Sequence, residues 1–209
     1  MQVIWEGITK AETLKEAYVG PRQALADAAR RFDWETVFEI LEGKWVRINS
    51  WRLGGRSWYT PLHQAAYGGA PVAVVERMLA LGAWRALPTA WGRLAGEIAA
   101  ERGHTDLVDL LRPVYRYEVD AALLAVLQAR FWEVIEGRVG NIVAREGLRL
   151  PELRILLELE KPEMWFPVPG MYGGFSFGLV KRAGEEVRLV SESWIRIVGG
   201  SGQRHEVTR

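Results

Sequence analysis

The chain has 209 residues, 49% of them apolar and 25% charged, which allows one large or two small cored domains and excludes wholesale disorder. A net charge of +1 gives no electrostatic basis for a dominant nucleic-acid role, and zero cysteines exclude disulfides, thiolate nucleophiles and thiolate metal sites. No apolar run is long enough to span a bilayer, and the start Met1-Gln2-Val3-Ile4-Trp5-Glu6 lacks the basic and greasy regions of a secretory signal, so cytoplasmic residence is the expectation.

Residues 1–19 read as a lead segment with a short helix from Ala11 to Ala17. The first clear helical pattern follows Gly20-Pro21, with Leu25, Ala28, Ala29 and Phe32 on one face. Val37, Phe38, Ile40 and Leu41 continue at a second helix's spacing, and Asp33 stands between the two as a predicted N-cap, with Glu35 and Thr36 in the first turn. The layout then recurs. Ala65 and Gly69 match Ala99 and Gly103 at an offset of 34 (99 − 65), whereas Ala28 precedes Ala65 by 37 (65 − 28), making the first unit the irregular one.

Thr60-Pro61-Leu62-His63-Gln64-Ala65-Ala66 is the most specific stretch. Pro61 suits a first helical turn, where its missing N–H does no harm, and Leu81-Gly82-Ala83 ends a helix with a residue free to turn left-handed. Gly92 falls at a connection, and Gly103-His104 leads into Leu107, Val108, Leu110 and Leu111. On these residues the span 20–113 resembles a short array of ankyrin repeats. The first unit lacks the Thr-Pro-Leu-His run, and the last has Leu94-Ala95-Gly96-Glu97 in its place, as atypical end units do. The resemblance implies a stack of helical hairpins that binds a protein partner through its tips and concave face. It gives His63 and His104 the task of bonding backbone between repeats rather than catalysis or metal binding.

After Pro113 the period is lost. Val119–Ile135 reads as an amphipathic helix with Ala122, Leu123, Val126, Leu127 and Phe131 inward, followed by helical stretches at 140–146 and 151–158. Strands are predicted at 164–168, 175–180, 187–198 and 204–208, with turns at Gly170, Gly173-Gly174 and Ala183-Gly184. The fold class expected is therefore α+β: a helical repeat stack at 20–113, then a module at 114–209 of helices and an antiparallel meander. The run from Met164 to His205 also resembles segments attached to ankyrin repeats in bacterial proteins, a likeness that carries no chemistry.

Ten tryptophans are many for this length, and several cluster in the expected tips. The connection from Asn49 to Thr60 holds Trp51, Arg52, Arg56, Trp58 and Tyr59; the next holds Trp84, Arg85 and Trp91. Tryptophan and arginine are enriched at binding hot spots. Two readings fit them: they grip a partner, which includes a second copy of the chain, or they fold back over the protein's own surface.

In the module, Trp165 to Phe175 is either an aromatic-lined pocket or a turn between strands whose rings form the core. Gly199-Gly200-Ser201-Gly202 beside Arg204 is either an anion-binding loop or a turn into the last strand, lacking the spacing of a phosphate-binding motif. Ser201, His205 and Glu206 are ingredients of nucleophilic catalysis too close in sequence to argue for a triad. Glu192, Trp194 and Arg196 share a strand face, and with Tyr172, Ser201, Arg204 and His205 they make a candidate small-ligand pocket. No catalytic residue, metal ligand or cofactor is assigned, and interaction is preferred to enzymatic activity.

Overall fold

A computed structural model describes residues 2–181, 186–195 and 202–207. The turn expected at Ala183-Gly184, the strand end at 196–198, the Gly199-Gly200-Ser201 run and Thr208 lie outside those residues. The chain forms two compact units: one is Thr9–Val114, the other unites Met1–Ile8 with Tyr115–Arg209. The class is α+β, helices first and then a four-stranded antiparallel meander. No helix among the described residues is long and apolar enough to cross a membrane.

The first unit holds a 3-10 turn at Ala11–Thr13 and six helices: α1 Glu16–Arg30, α2 Trp34–Glu42, α3 Pro61–Gly68, α4 Val72–Ala80, α5 Ala95–Glu101 and α6 Thr105–Val108. Helix α1 begins before the Gly20-Pro21 pair rather than after it, so Pro21 lies inside the helix. Its ring forgoes the bond to Ala17. Asp33 does cap α2, its Oδ1 accepting from the Thr36 N–H at 3.2 Å. Bonds from the Thr36 hydroxyl and backbone hold the Asp33 carboxyl below its ordinary pKa of 3.8.

The small residues that set the period sit at the closest approaches. Ala28, Ala65 and Ala99 are all fully buried in one cluster with Leu25, Val37, Leu62, Val75, Met78, Ile98 and Leu107. Alanine there lets α1, α3 and α5 pack side by side, where a larger side chain would hold them apart. Each of these helices is followed by a left-handed residue: Phe32 (φ 61°), Gly69 (φ 65°) and Gly103 (φ 79°). Phe32 thus occupies the place filled by glycine in the other two.

In the second unit, α7 spans Ala121–Glu146 as two helical segments that meet at a kink, in keeping with the two stretches expected at 119–135 and 140–146. The kink falls at Val139, whose φ of −142° and ψ of 21° leave the helical region and separate the two segments. A 3-10 turn, Leu153–Glu158, stands where a third helix is expected. The sheet runs β1 Glu163–Val168, β2 Gly173–Val180, β3 Arg188–Ile195 and β4 Gly202–Val207, each strand antiparallel to the next in chain order. The glycine turn between β1 and β2 is held by Gly170 (φ 81°).

One face of the sheet buries Met164, Phe166, Phe175, Phe177 and Leu189, and Phe131 of α7 meets Phe177 at 4.8 Å between ring centroids. The lead segment adds an edge: Trp5 N–H donates to the Trp165 carbonyl at 2.8 Å and Trp165 N–H to the Val3 carbonyl at 2.9 Å. The Trp5 indole is 1% exposed and donates Nε1–H to the Arg149 carbonyl at 2.8 Å. Gly7 (φ 63°) closes this corner, because a Cβ there would strike the Arg149 carbonyl and the Phe166 ring.

Candidate functional site

The connections before α3 and between α4 and α5 carry the candidate binding residues, and their geometry begins with Thr60 and His63. Thr60 N–H donates to His63 Nδ1 at 3.2 Å. An Nδ1 that accepts a backbone N–H carries no proton, so the Thr60 hydroxyl, 2.8 Å away, donates to it too. The proton is then on Nε2, which donates to the Leu87 carbonyl at 3.0 Å. One buried ring thus fixes the start of α3 and ties it to the connection 24 residues later. His104 makes the parallel bond, Nε2 to the Tyr67 carbonyl at 3.2 Å.

The Ala83–Arg93 connection is built with the same economy. Asn49 donates Nδ2–H to the Gly82 carbonyl at 2.8 Å and accepts the Trp84 N–H at 2.9 Å, stitching two connections together. Thr89 is 3% exposed and closes the tip. Its N–H donates to the Arg93 carbonyl at 2.8 Å, its carbonyl accepts from Gly92, and its hydroxyl accepts from both Trp91 and Arg93. Ala90 N–H reaches back to the Ser57 carbonyl at 2.9 Å. On this braced turn, with Gly92 at φ 77°, the Trp91 indole stands 66% exposed.

The other expected tip residues are distributed differently. Trp51 is 3% exposed; its carbonyl accepts from Arg22 Nε at 3.2 Å, the Arg22 guanidinium lies over its ring, and Trp58 packs against it. It belongs to the core. Trp58, Tyr59, Trp84 and Arg85 are half-buried, with Arg85 Nε bonded to the Leu110 carbonyl at 2.8 Å. Arg52 is exposed and ion-paired with Asp27, and Arg56 is exposed. Both of the open readings therefore describe part of the set, with self-packing claiming Trp51 and exposure leaving Trp91.

A neighbouring surface was missed in the sequence. Tyr67 on α3 is exposed, packs edge-on to Tyr59, and has the Arg102 guanidinium 4.4 Å above its ring. Arg93 pairs with Glu101 and, at 3.5 Å, with Glu97. The hydrogen bond that Arg93 donates to Glu101 raises the Arg93 pKa further, so its charge is permanent. Tyr67 lies two positions past buried Ala65, so the helical period that marks Ala65 as core already turns Tyr67 outward.

In the second unit the described ligand candidates do not share one face of the sheet. Glu192, Trp194 and Arg204 share the outer face, where Arg204 pairs with Glu192 at 3.4 Å and Glu206 at 3.5 Å. Trp194 stacks on Trp165 with centroids 5.9 Å apart, over Gly174, where any Cβ would strike the Trp165 ring. His205, adjacent in sequence to Arg204, alternates to the inner face opposite Ser191. There Ser191 Oγ, Ser193 Oγ and His205 Nε2 are buried and make no hydrogen bond among the described residues. The adjacent carboxylates, Glu192 and Glu206, are on the other face, so neither orients His205. Tyr172, 78% exposed at φ 52°, sits on the β1–β2 turn, and Arg196 and Ser201 lie outside the described residues. Among the described residues no three His, Asp or Glu side chains cluster to hold a metal ion. No protein-family model and no curated protein matches the chain.

Proposed function

We propose that residues 20–113, within the first unit, are an ankyrin-type repeat array and that this array serves as a protein-interaction scaffold, gripping its partner through the Trp91 tip and the adjoining Tyr67–Arg102 surface. Support for the array lies in the repeated alanine approaches, the left-handed residues at 32, 69 and 103, and the two histidine bonds that tie α3 to the connections at Leu87 and His104. The observation that carries the binding role is Trp91. An indole two-thirds exposed on a turn locked by Thr89 loses little freedom on docking and brings a large amphipathic surface.

Arginine and tyrosine beside it complete a chemistry favoured at interface centres. Arg93 and Arg102 are already oriented by Glu101 and by the Tyr67 ring, so the surface is organised before a partner arrives.

A photo-crosslinking residue placed at position 91, compared with one at the equally exposed Trp45, tests the reading. Crosslinks to a defined protein from position 91 that are absent from position 45, together with loss of that protein by Trp91→Ala at unchanged melting temperature, are expected. Truncation of such an anchor costs about 2 kcal/mol or more, roughly 30-fold in Kd. Equal crosslinking from both positions, or a partner indifferent to Trp91→Ala, overturns the proposal.

A further inference from the structure

A groove runs along the first half of α7, wholly within the second unit. It has a volume of about 770 Å³ and is bounded by Tyr115 and residues 117–120, by one face of α7 as far as Trp132, and by Glu152, Arg154 and Leu157. That volume lies within the roughly 300–1,000 Å³ of small-molecule sites. Its floor is low because Ala121, Ala125 and Ala129 follow one another at helical spacing on α7.

The walls are rigid and aromatic. Tyr117 donates its hydroxyl to the Glu160 carbonyl at 2.6 Å, and Trp132 donates Nε1–H to the Pro151 carbonyl at 2.8 Å. Gln128 has both ends of its amide engaged, donating to the Pro151 carbonyl and accepting from the Leu153 N–H. The polar handles of these three side chains hold the groove in shape, which leaves their apolar surfaces to a ligand. Tyr115 adds a third ring.

Charge decides which ligand. Glu118, Asp120 and Glu152 line the groove against a single guanidinium, that of Arg154. One Asp120 oxygen caps α7 through the Leu123 N–H at 2.9 Å, leaving the other available. Glu152 stands 3.7 Å from Arg149, and Glu118 is exposed. An anion entering here meets an excess of carboxylates and the negative faces of aromatic rings. A neutral apolar molecule desolvates carboxylates and offers them nothing in return. A cation is favoured by both features. We propose that this groove binds a small organic ammonium ion, its charge held by Glu118 and Asp120 and its apolar body seated on the alanine floor between Tyr115, Tyr117 and Trp132.

Calorimetry and saturation-transfer NMR on the full chain test this with benzyltrimethylammonium, phenylacetate and benzyl alcohol. Saturable binding of the ammonium alone is expected. Combining Glu118→Gln with Asp120→Asn, which keeps the capping oxygen, should weaken it about ten-fold. Ala125→Trp, at an exposed helical position, fills the floor and should abolish it while α7 remains folded by circular dichroism. The proposal is overturned by phenylacetate or benzyl alcohol binding as tightly as the ammonium, by ammonium binding that survives Ala125→Trp, or by no saturable binding at millimolar concentration.

Discussion

Replacing His63 tests whether one ring holds the first unit's connections together. His63→Leu keeps a side chain of comparable bulk in a fully buried site but removes the ring's hydrogen bonds to Thr60 and Leu87. The Thr60 N–H then has no acceptor and the Leu87 carbonyl loses its donor, both in residues at most 1% exposed. Each orphaned buried group costs about 1–3 kcal/mol, so a loss of roughly 3–5 kcal/mol is expected. Glu97→Ala is the comparison. Glu97 holds the same third position of α5 that His63 holds in α3, and its Oε2 accepts the Leu94 N–H at 2.8 Å, but this bond is exposed and reaches no distant connection. Its loss should cost only about 0.5–1 kcal/mol. Urea unfolding followed by hydrogen exchange at amides 60–66 reads both. If His63→Leu costs less than about 1 kcal/mol, or no more than Glu97→Ala, the argument that buried unpaired groups dominate here fails.

Trp5→Ala should destabilise the second unit by about 3–5 kcal/mol, through the cavity and the lost bond to Arg149, with exchange of the Trp165 amide accelerated; an unchanged melting temperature would show residues 2–8 to be dispensable. At position 32 the usual helix ranking reverses: because φ is 61°, Phe32→Gly should be more stable than Phe32→Ala by about 1 kcal/mol, measured by urea midpoint, and the opposite order would refute a left-handed Phe32. Asp33 has a folded pKa below its unfolded 3.8, so its contribution is complete above that pH and is lost as pH falls through the folded value. Asp33→Asn should therefore flatten the acid limb of the stability curve below about pH 4, and an unchanged slope there would remove Asp33 from the linkage.

The helical half was legible because its information is local. The alanines at 28, 65 and 99, the cap at Asp33 and the glycines at 69, 82 and 103 each follow from what a backbone turn or a close approach permits. Pro21 misled the placement of α1, since a proline reads as a boundary, yet the added turn from Glu16 tolerates one missing bond. Phe32 is the sharper case. It falls on the apolar period and reads as core, but it is 42% exposed and terminates the helix in a conformation that favours glycine.

Exposure of the tryptophans was not local and could not be read. Trp51 and Trp91 sit in connections of similar composition, and both invite the same expectation of a projecting indole. What separates them is long-range: Arg22, from a helix 29 residues away, bonds the Trp51 carbonyl and covers its ring, whereas Thr89 braces the turn beneath Trp91 and leaves the indole outside. The same limit explains the ligand residues of the sheet. Strand alternation alone separates Arg204 from His205, and it could have been applied to both. Which strand each would face required the β3–β4 register, Glu192 against Arg204 and Ser191 against His205, which the chain specifies only through the buried pattern of the whole sheet. The ammonium groove lies further still from sequence patterns. Its alanines fall off the apolar face of the helix and belong to no motif, and they become a floor only because Tyr117, Gln128 and Trp132 are each anchored to carbonyls of the 151–160 segment.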